Sequence, residues 1–150
     1  MKVALGSDHR GFTAKEELKA FLESLGHSVL DVGCDSTDSA DYPDFALRGA
    51  GSVAAGEADR GILLCGSGIG MSMAANKVRG IRAALCHDEL TAEMSRRHNN
   101  ANVLCLPADL LGQELLRRMV DVWMRTEYEG GRHDRRVKKI MDYESNGKAT

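Results

Sequence analysis

The stretch Gly61-Ile62-Leu63-Leu64-Cys65-Gly66-Ser67-Gly68-Ile69-Gly70, running on into Met71-Ser72-Met73-Ala74-Ala75-Asn76-Lys77, decides the fold. A short apolar run delivers Cys65 to a turn with glycine at 66, 68 and 70, and a small-residue helix follows at once. Apolar strand, tight turn and helix in succession form the unit from which parallel sheets are built. Such a turn leaves backbone N–H groups unpaired at a helix N-terminus, a ready anion site. A thiol beside it has the parts of a catalytic centre. Amide donors favour the thiolate, and they stabilise charge developing on a substrate oxygen.

Working outward, the same unit recurs. Strands are expected at Lys2–Gly6, Ser28–Val32, Gly61–Leu64, Ile81–Cys86 and Asn102–Leu106. Helices are expected at Phe12–Leu25, from Pro43 to about Gly56, at Ser67–Asn76, from an Asp88 cap to about His98, at Leu110–Arg125 and at Arg132–Tyr143. Leu18, Phe21, Leu22 and Leu25 mark the buried face of the first helix, with Gly26 as its stop; Leu111, Leu115, Val120 and Trp123 mark that of the fifth. This alternation predicts a single-domain, Rossmann-like α/β/α sandwich with an extra C-terminal helix. Its five-stranded parallel sheet is expected in order 2-1-3-4-5. Residues 1–144 form the domain and 145–150 a flexible tail.

In that order the switch point lies between strands 1 and 3. Their carboxyl ends carry Ser7-Asp8-His9 and Cys65-Gly66-Ser67, so two separate motifs converge on the crevice where ligands of such sheets bind.

Composition narrows the function. Charged residues make up 28% of the 150 and the formal net charge is −2, which gives no reason to expect nucleic acid or a membrane surface as a partner. The N-terminal residues meet Gly6, Asp8 and His9 too soon for a secretory signal, and no apolar run nears the roughly 20 residues of a membrane span. The four cysteines have no paired metal-ligand spacing, so no metal is expected. Cys34, Cys86 and Cys105 read as small core hydrophobes in a reducing cytoplasm. Met71, Met73, Met119 and Met124 read as core or interface filling.

An ordered set of motifs sharpens the reading: Gly6-Ser7-Asp8-His9-x-Gly11-Phe12, Asp41-Tyr42-Pro43, Cys65-Gly66-Ser67-Gly68-Ile69-Gly70, Ala74-Ala75-Asn76-Lys77, Gly80-Ile81-Arg82-Ala83, Ser95-Arg96-x-His98-Asn99 and Gly130-Gly131-Arg132-His133-x-x-Arg136. Together, over about residues 1–143, they resemble the type B ribose-5-phosphate isomerases, which share a family with the galactose-6-phosphate isomerase subunits. The resemblance implies a cofactor-free aldose–ketose isomerase for a phosphorylated sugar, with ribose 5-phosphate and ribulose 5-phosphate as the expected pair. It implies Cys65 as the base at C1 and C2, with Ser67 and the amides of Gly66, Gly68, Ile69 and Gly70 holding the enediolate oxygens. It further implies His98 in ring opening, Asp8 and Asn99 on sugar hydroxyls, and His9, Arg132 and Arg136 on the phosphate. A branch of the family carries a glutamate four residues after the cysteine position; Ile69 places this chain in the cysteine branch.

Ser67 stands for the commoner threonine and keeps the hydroxyl, but one departure from the pattern matters. Asp109 stands where the family commonly has arginine, and a carboxylate near a sugar phosphate repels it. Either Asp109 points away, or the substrate is another phosphorylated aldose, such as a tetrose or hexose. A non-catalytic phosphosugar-binding module remains as a different class of function. A nucleotide-binding redox domain is excluded by the glycine spacing and by its place on strand 3.

The topology also bears on assembly. His98 and Asn99 precede strand 5 and so belong at the amino edge of the sheet, whereas Cys65 and Asp8 lie at the carboxyl edge. A five-residue strand spans roughly 17 Å. One subunit cannot easily unite the two groups, so a homodimer with composite sites is expected, with pairing into tetramers left open. The resemblance implies the same. Simpler roles stand beside these: Asp8 as a cap of the first helix, His98 as a helix C-terminal residue favoured by the dipole, and Arg135, Lys138 and Lys139 as a solvated face. Tyr42 is suited either to closing over a ligand or to packing.

Overall fold

The computed structural model describes residues 1–146. Its strands are β1 (Lys2–Ser7), β2 (Ser28–Asp31), β3 (Arg60–Cys65), β4 (Ala83–Leu85) and β5 (Val103–Pro107), and its helices α1 (Phe12–Ser24), α2 (Tyr42–Ala54), α3 (Ile69–Ala75), α4 (Glu89–Asn99), α5 (Gln113–Arg125) and α6 (Asp134–Asn146), with one 3₁₀ turn at Gly131–His133. All four strand pairings are parallel.

Side chains alternate across the sheet as period two requires. Val3 and Leu5, Ile62 and Leu64, and Leu104 and Leu106 face α1, α4 and α5; Leu63 and Cys65, with Val103 and Cys105, face α2 and α3. Two helical layers therefore cover one sheet, the sandwich the alternation predicts. Gly26, at φ +81°, ends the turn after α1 as expected, although Leu25 is exposed. On α5 the buried stripe is Leu116, Met119, Val120, Trp123 and Met124, so Leu116 takes the core position expected of Leu115. Leu111 lies just before the helix and packs against the core from its loop. Met73 is exposed, unlike Met71, Met119 and Met124.

The order of the last two strands differs from expectation. It is β2-β1-β3-β5-β4. Burial explains this. Every residue of β5 is buried, whereas the three residues of β4 are only half-covered. A fully apolar strand gains most between two neighbours, and a short one suits an edge. Asn76 stitches that edge to α3, donating to the Ala83 carbonyl and accepting from the Ala83 amide, both at 2.9 Å. The β1–β3 junction, and with it the switch point, is where the alternation placed it.

The last helix runs through Ser145 and Asn146, two residues into the expected tail; positions 147–150 lie outside the described residues. α6 docks on the α3–β4 loop, where Glu144 accepts from the Gly80 amide at 2.9 Å. Among the described residues, no helix is long and apolar enough to cross a membrane.

Candidate active site

Cys65 is the last residue of β3, and its residue surface is only 5% exposed, yet it lines an open cavity of about 480 Å³ over the switch point. Asp8, Arg10, Tyr42, Gly66, Ser67, Gly70, Asp109 and Leu110 complete the lining. The Gly68 amide donates to Cys65 Sγ at 3.2 Å, so a backbone donor of the glycine turn is aimed at the sulfur. Gly68 manages this in a left-handed conformation (φ +73°), where an added Cβ would stand 2.6 Å from Leu85. Ser67 Oγ accepts from the Ile69 amide at 3.3 Å. Gly70 lies under the ring of Tyr42; a Cβ there would meet it at 2.5 Å. Tyr42 thus packs on Gly70 and lines the cavity.

Asp8, 4% exposed, accepts from the Arg10 and Gly11 amides at 3.0 and 3.1 Å. It therefore braces the entry to α1 and faces the cavity at once. His9, on the same loop, is tethered through Nδ1 to the backbone of Ala40 at 3.1 Å. Asp109 does not point away. It reaches into the cavity and forms an ion pair with Arg10 Nε.

The remaining expected residues gather elsewhere. None of His98, Asn99, Arg132 and Arg136 lines the Cys65 cavity. His98, near the end of α4, stacks on His133 with ring centroids 4.3 Å apart and planes 13° from parallel. Glu129 Oε2 stands 3.7 Å from His98 Nε2 and 3.4 Å from His133 Nε2. Arg97 donates to the other Glu129 oxygen and holds that carboxyl below the usual range. Burial, followed by the charges of His98 and Arg132, pushes His133 below the ordinary histidine value. Arg136 donates to the Arg132 carbonyl at 2.9 Å. Asn99 borders a smaller cavity of about 240 Å³ with Asn76, Arg82 and Ile140.

The ligand atoms of His98, Glu129 and His133 lie within 4.8 Å of one another. Two guanidinium groups, Arg97 on Glu129 and Arg132 at 3.4 Å from His133 Nε2, oppose a cation there and leave an arrangement suited to moving protons. Asp88 keeps its capping role: it accepts from the Thr91 amide at 2.6 Å in a capping box.

Sequence reasoning missed Arg10, Glu129 and His133 as parts of these groups. Arg10 pairs with a residue 99 positions away, which no local pattern reveals. Glu129 and His133 sit four apart, a helical spacing that the glycines at 130 and 131 disguise.

A thiol, a hydroxyl and a carboxylate around one cavity at the carboxyl edge of a parallel sheet form the kind of site at which enzymes transfer protons. A family model described as ribose/galactose isomerase matches residues 3–140. The ribose-5-phosphate isomerase B of Escherichia coli is 47% identical over 143 residues, 95% of this chain and 96% of its own length. The D-erythrulose-4-phosphate isomerase of Pectobacterium atrosepticum is 41% identical over 96% of this chain and 95% of its own. The solved ribose-5-phosphate isomerase B of Clostridium thermocellum superposes with a TM-score of 0.96 at 48% identity, over 99% of this chain and 100% of that one. This chain belongs to the ribose/galactose isomerase family and is an aldose–ketose isomerase.

Proposed function

We propose that the protein interconverts ribose 5-phosphate and ribulose 5-phosphate. The observation that carries this reading is Cys65 Sγ, hydrogen-bonded by the Gly68 amide in a cavity shared with Ser67 and Asp8. In the open-chain aldose the Cys65 thiolate takes the C2 proton, leaving an enediolate across C1 and C2. Ser67 and the amides of residues 66–70 hold its oxygens. The thiol returns the proton to C1 while the O2 hydroxyl proton passes to O1. The step is redox-neutral overall and needs no cofactor. Asp8 and Asn99 bind hydroxyls, His98 opens the furanose ring, and His9, Arg132 and Arg136 bind the phosphate.

Charge supports a homodimer with composite sites. The lining residues of the Cys65 cavity carry two carboxylates and one guanidinium, a net negative wall that alone disfavours a phosphate dianion. Arg132, Arg136 and His98, grouped at the other edge, supply the missing charge and proton relay when a second subunit presents them. The four free thiols support a reducing, cytoplasmic setting.

A second reading comes from Asp109, which faces the cavity, together with the tetrose-phosphate specificity in the name of one relative. A coupled isomerase assay over four-, five- and six-carbon aldose phosphates separates the two. The highest kcat/KM on ribose 5-phosphate is expected; a higher value on a four-carbon substrate would overturn the assignment.

A further inference from the structure

Asp109 is not a passive departure from its family's pattern. Its amide donates to the Gly66 carbonyl at 3.0 Å, and the neighbouring Ala108 amide donates to the Cys65 carbonyl at 2.9 Å. Backbone bonds thus fasten Asp109 to the very loop that carries the thiol. The ion pair it makes with Arg10 lies directly on Gly66: an added Cβ would stand 2.6 Å from Asp109 Oδ2 and 2.8 Å from Arg10 Nε. Arg10 in turn is anchored at its backbone by Asp8. Asp109 therefore holds the Arg10 guanidinium over the loop that follows Cys65.

Arg10 is the one cation among the described lining residues. Its Nε serves Asp109, and its Nη groups make no hydrogen bond among the described residues, with the side chain 58% exposed. A guanidinium offers five donors in a planar fork, so one edge can hold a carboxylate while another meets an oxyanion. We infer that Arg10, aimed by Asp109, is a specificity-determining residue that binds the phosphate end of the sugar from within the same subunit as Cys65. Asp109 then acts through Arg10 as a positioning residue. Without Arg10, its bare carboxylate would face the substrate and repel it. This rests on the isomerase reading given above for the identity of the sugar, but not for the anion.

A single and a double variant test it. Arg10→Ala is expected to raise KM for ribose 5-phosphate about tenfold, the scale of one partly exposed charge-assisted hydrogen bond, with kcat within about twofold of wild type. Arg10→Ala combined with Asp109→Ala is expected to recover part of that loss, because the unpaired carboxylate is gone. Inorganic phosphate, titrated calorimetrically, is expected to bind the Arg10→Ala protein more weakly by a similar factor. An unchanged KM and phosphate affinity in Arg10→Ala would overturn the inference, and a double variant no better than Arg10→Ala would remove Asp109 from it. If wild-type protein turned over no ribose 5-phosphate, the substrate assignment would fall, while the phosphate titration would still decide the role of Arg10.

Discussion

His98 and His133 stack ring on ring, 4.3 Å apart, and share Glu129. Stacking two imidazoles costs little while one stays neutral. A second positive charge at that distance is strongly opposed. Burial and the neighbouring cations push His133 toward its neutral form.

That arrangement has a pH signature. The folded-state value of His133 lies below its ordinary 6.5. As pH falls through the ordinary value, the unfolded chain takes up the proton first, so stability contributed by neutral His133 is present above that pH and declines below it. Urea midpoints measured from pH 7.5 downward, at fixed protein concentration, are expected to fall below about pH 6.5 and to fall less steeply in His133→Gln. Parallel pH slopes in the two proteins would count against it.

Cys65→Ala removes the proposed proton acceptor and leaves the cavity walls in place. The expected loss in kcat is about 10²–10⁴-fold, the scale of a positioned acid–base group. Binding of ribose 5-phosphate, followed by calorimetry, should survive. A variant within about tenfold of wild-type kcat would disqualify Cys65 as the base.

Arg60 holds the end of α5. Its guanidinium, on a residue only 7% exposed, donates to the carbonyls of Trp123 and Met124, each at 2.9 Å, and lies 5.4 Å from the centre of the Trp123 ring. Arg60→Met keeps the aliphatic bulk but leaves two buried acceptors unpaired, an expected cost of about 2–4 kcal/mol. Denaturant unfolding reads it directly. A change below about 0.5 kcal/mol would show that water replaces the lost donors.

Much of the fold was legible because strand character is a local property. Leu63, Leu64 and Cys65 announce β3, and the adjacency of β1 and β3 follows from crossover handedness together with the commonest order of such sheets. The order of β4 and β5 was not, since it depends on how much of each strand is covered. In the site, Cys65, Ser67 and Asp8 stood out because the glycine turn and the switch point mark them independently. The Arg10–Asp109 pair was invisible for the opposite reason: each residue is an ordinary loop charge until the sheet brings them together. Asp109 drew notice only as a departure, and its direction was a matter of tertiary geometry.

On the proposed mechanism, one subunit's Cys65 works with its partner's His98. Mixing two inactive proteins, Cys65→Ala and His98→Asn, after unfolding and joint refolding, tests it most directly. In a composite dimer, half of the randomly formed dimers are mixed and each has one intact site, so activity should return to about a quarter of the wild-type value. If the mixture stays as inactive as its components while sedimentation shows mixed dimers, both residues serve sites within their own chain, and the composite site is wrong.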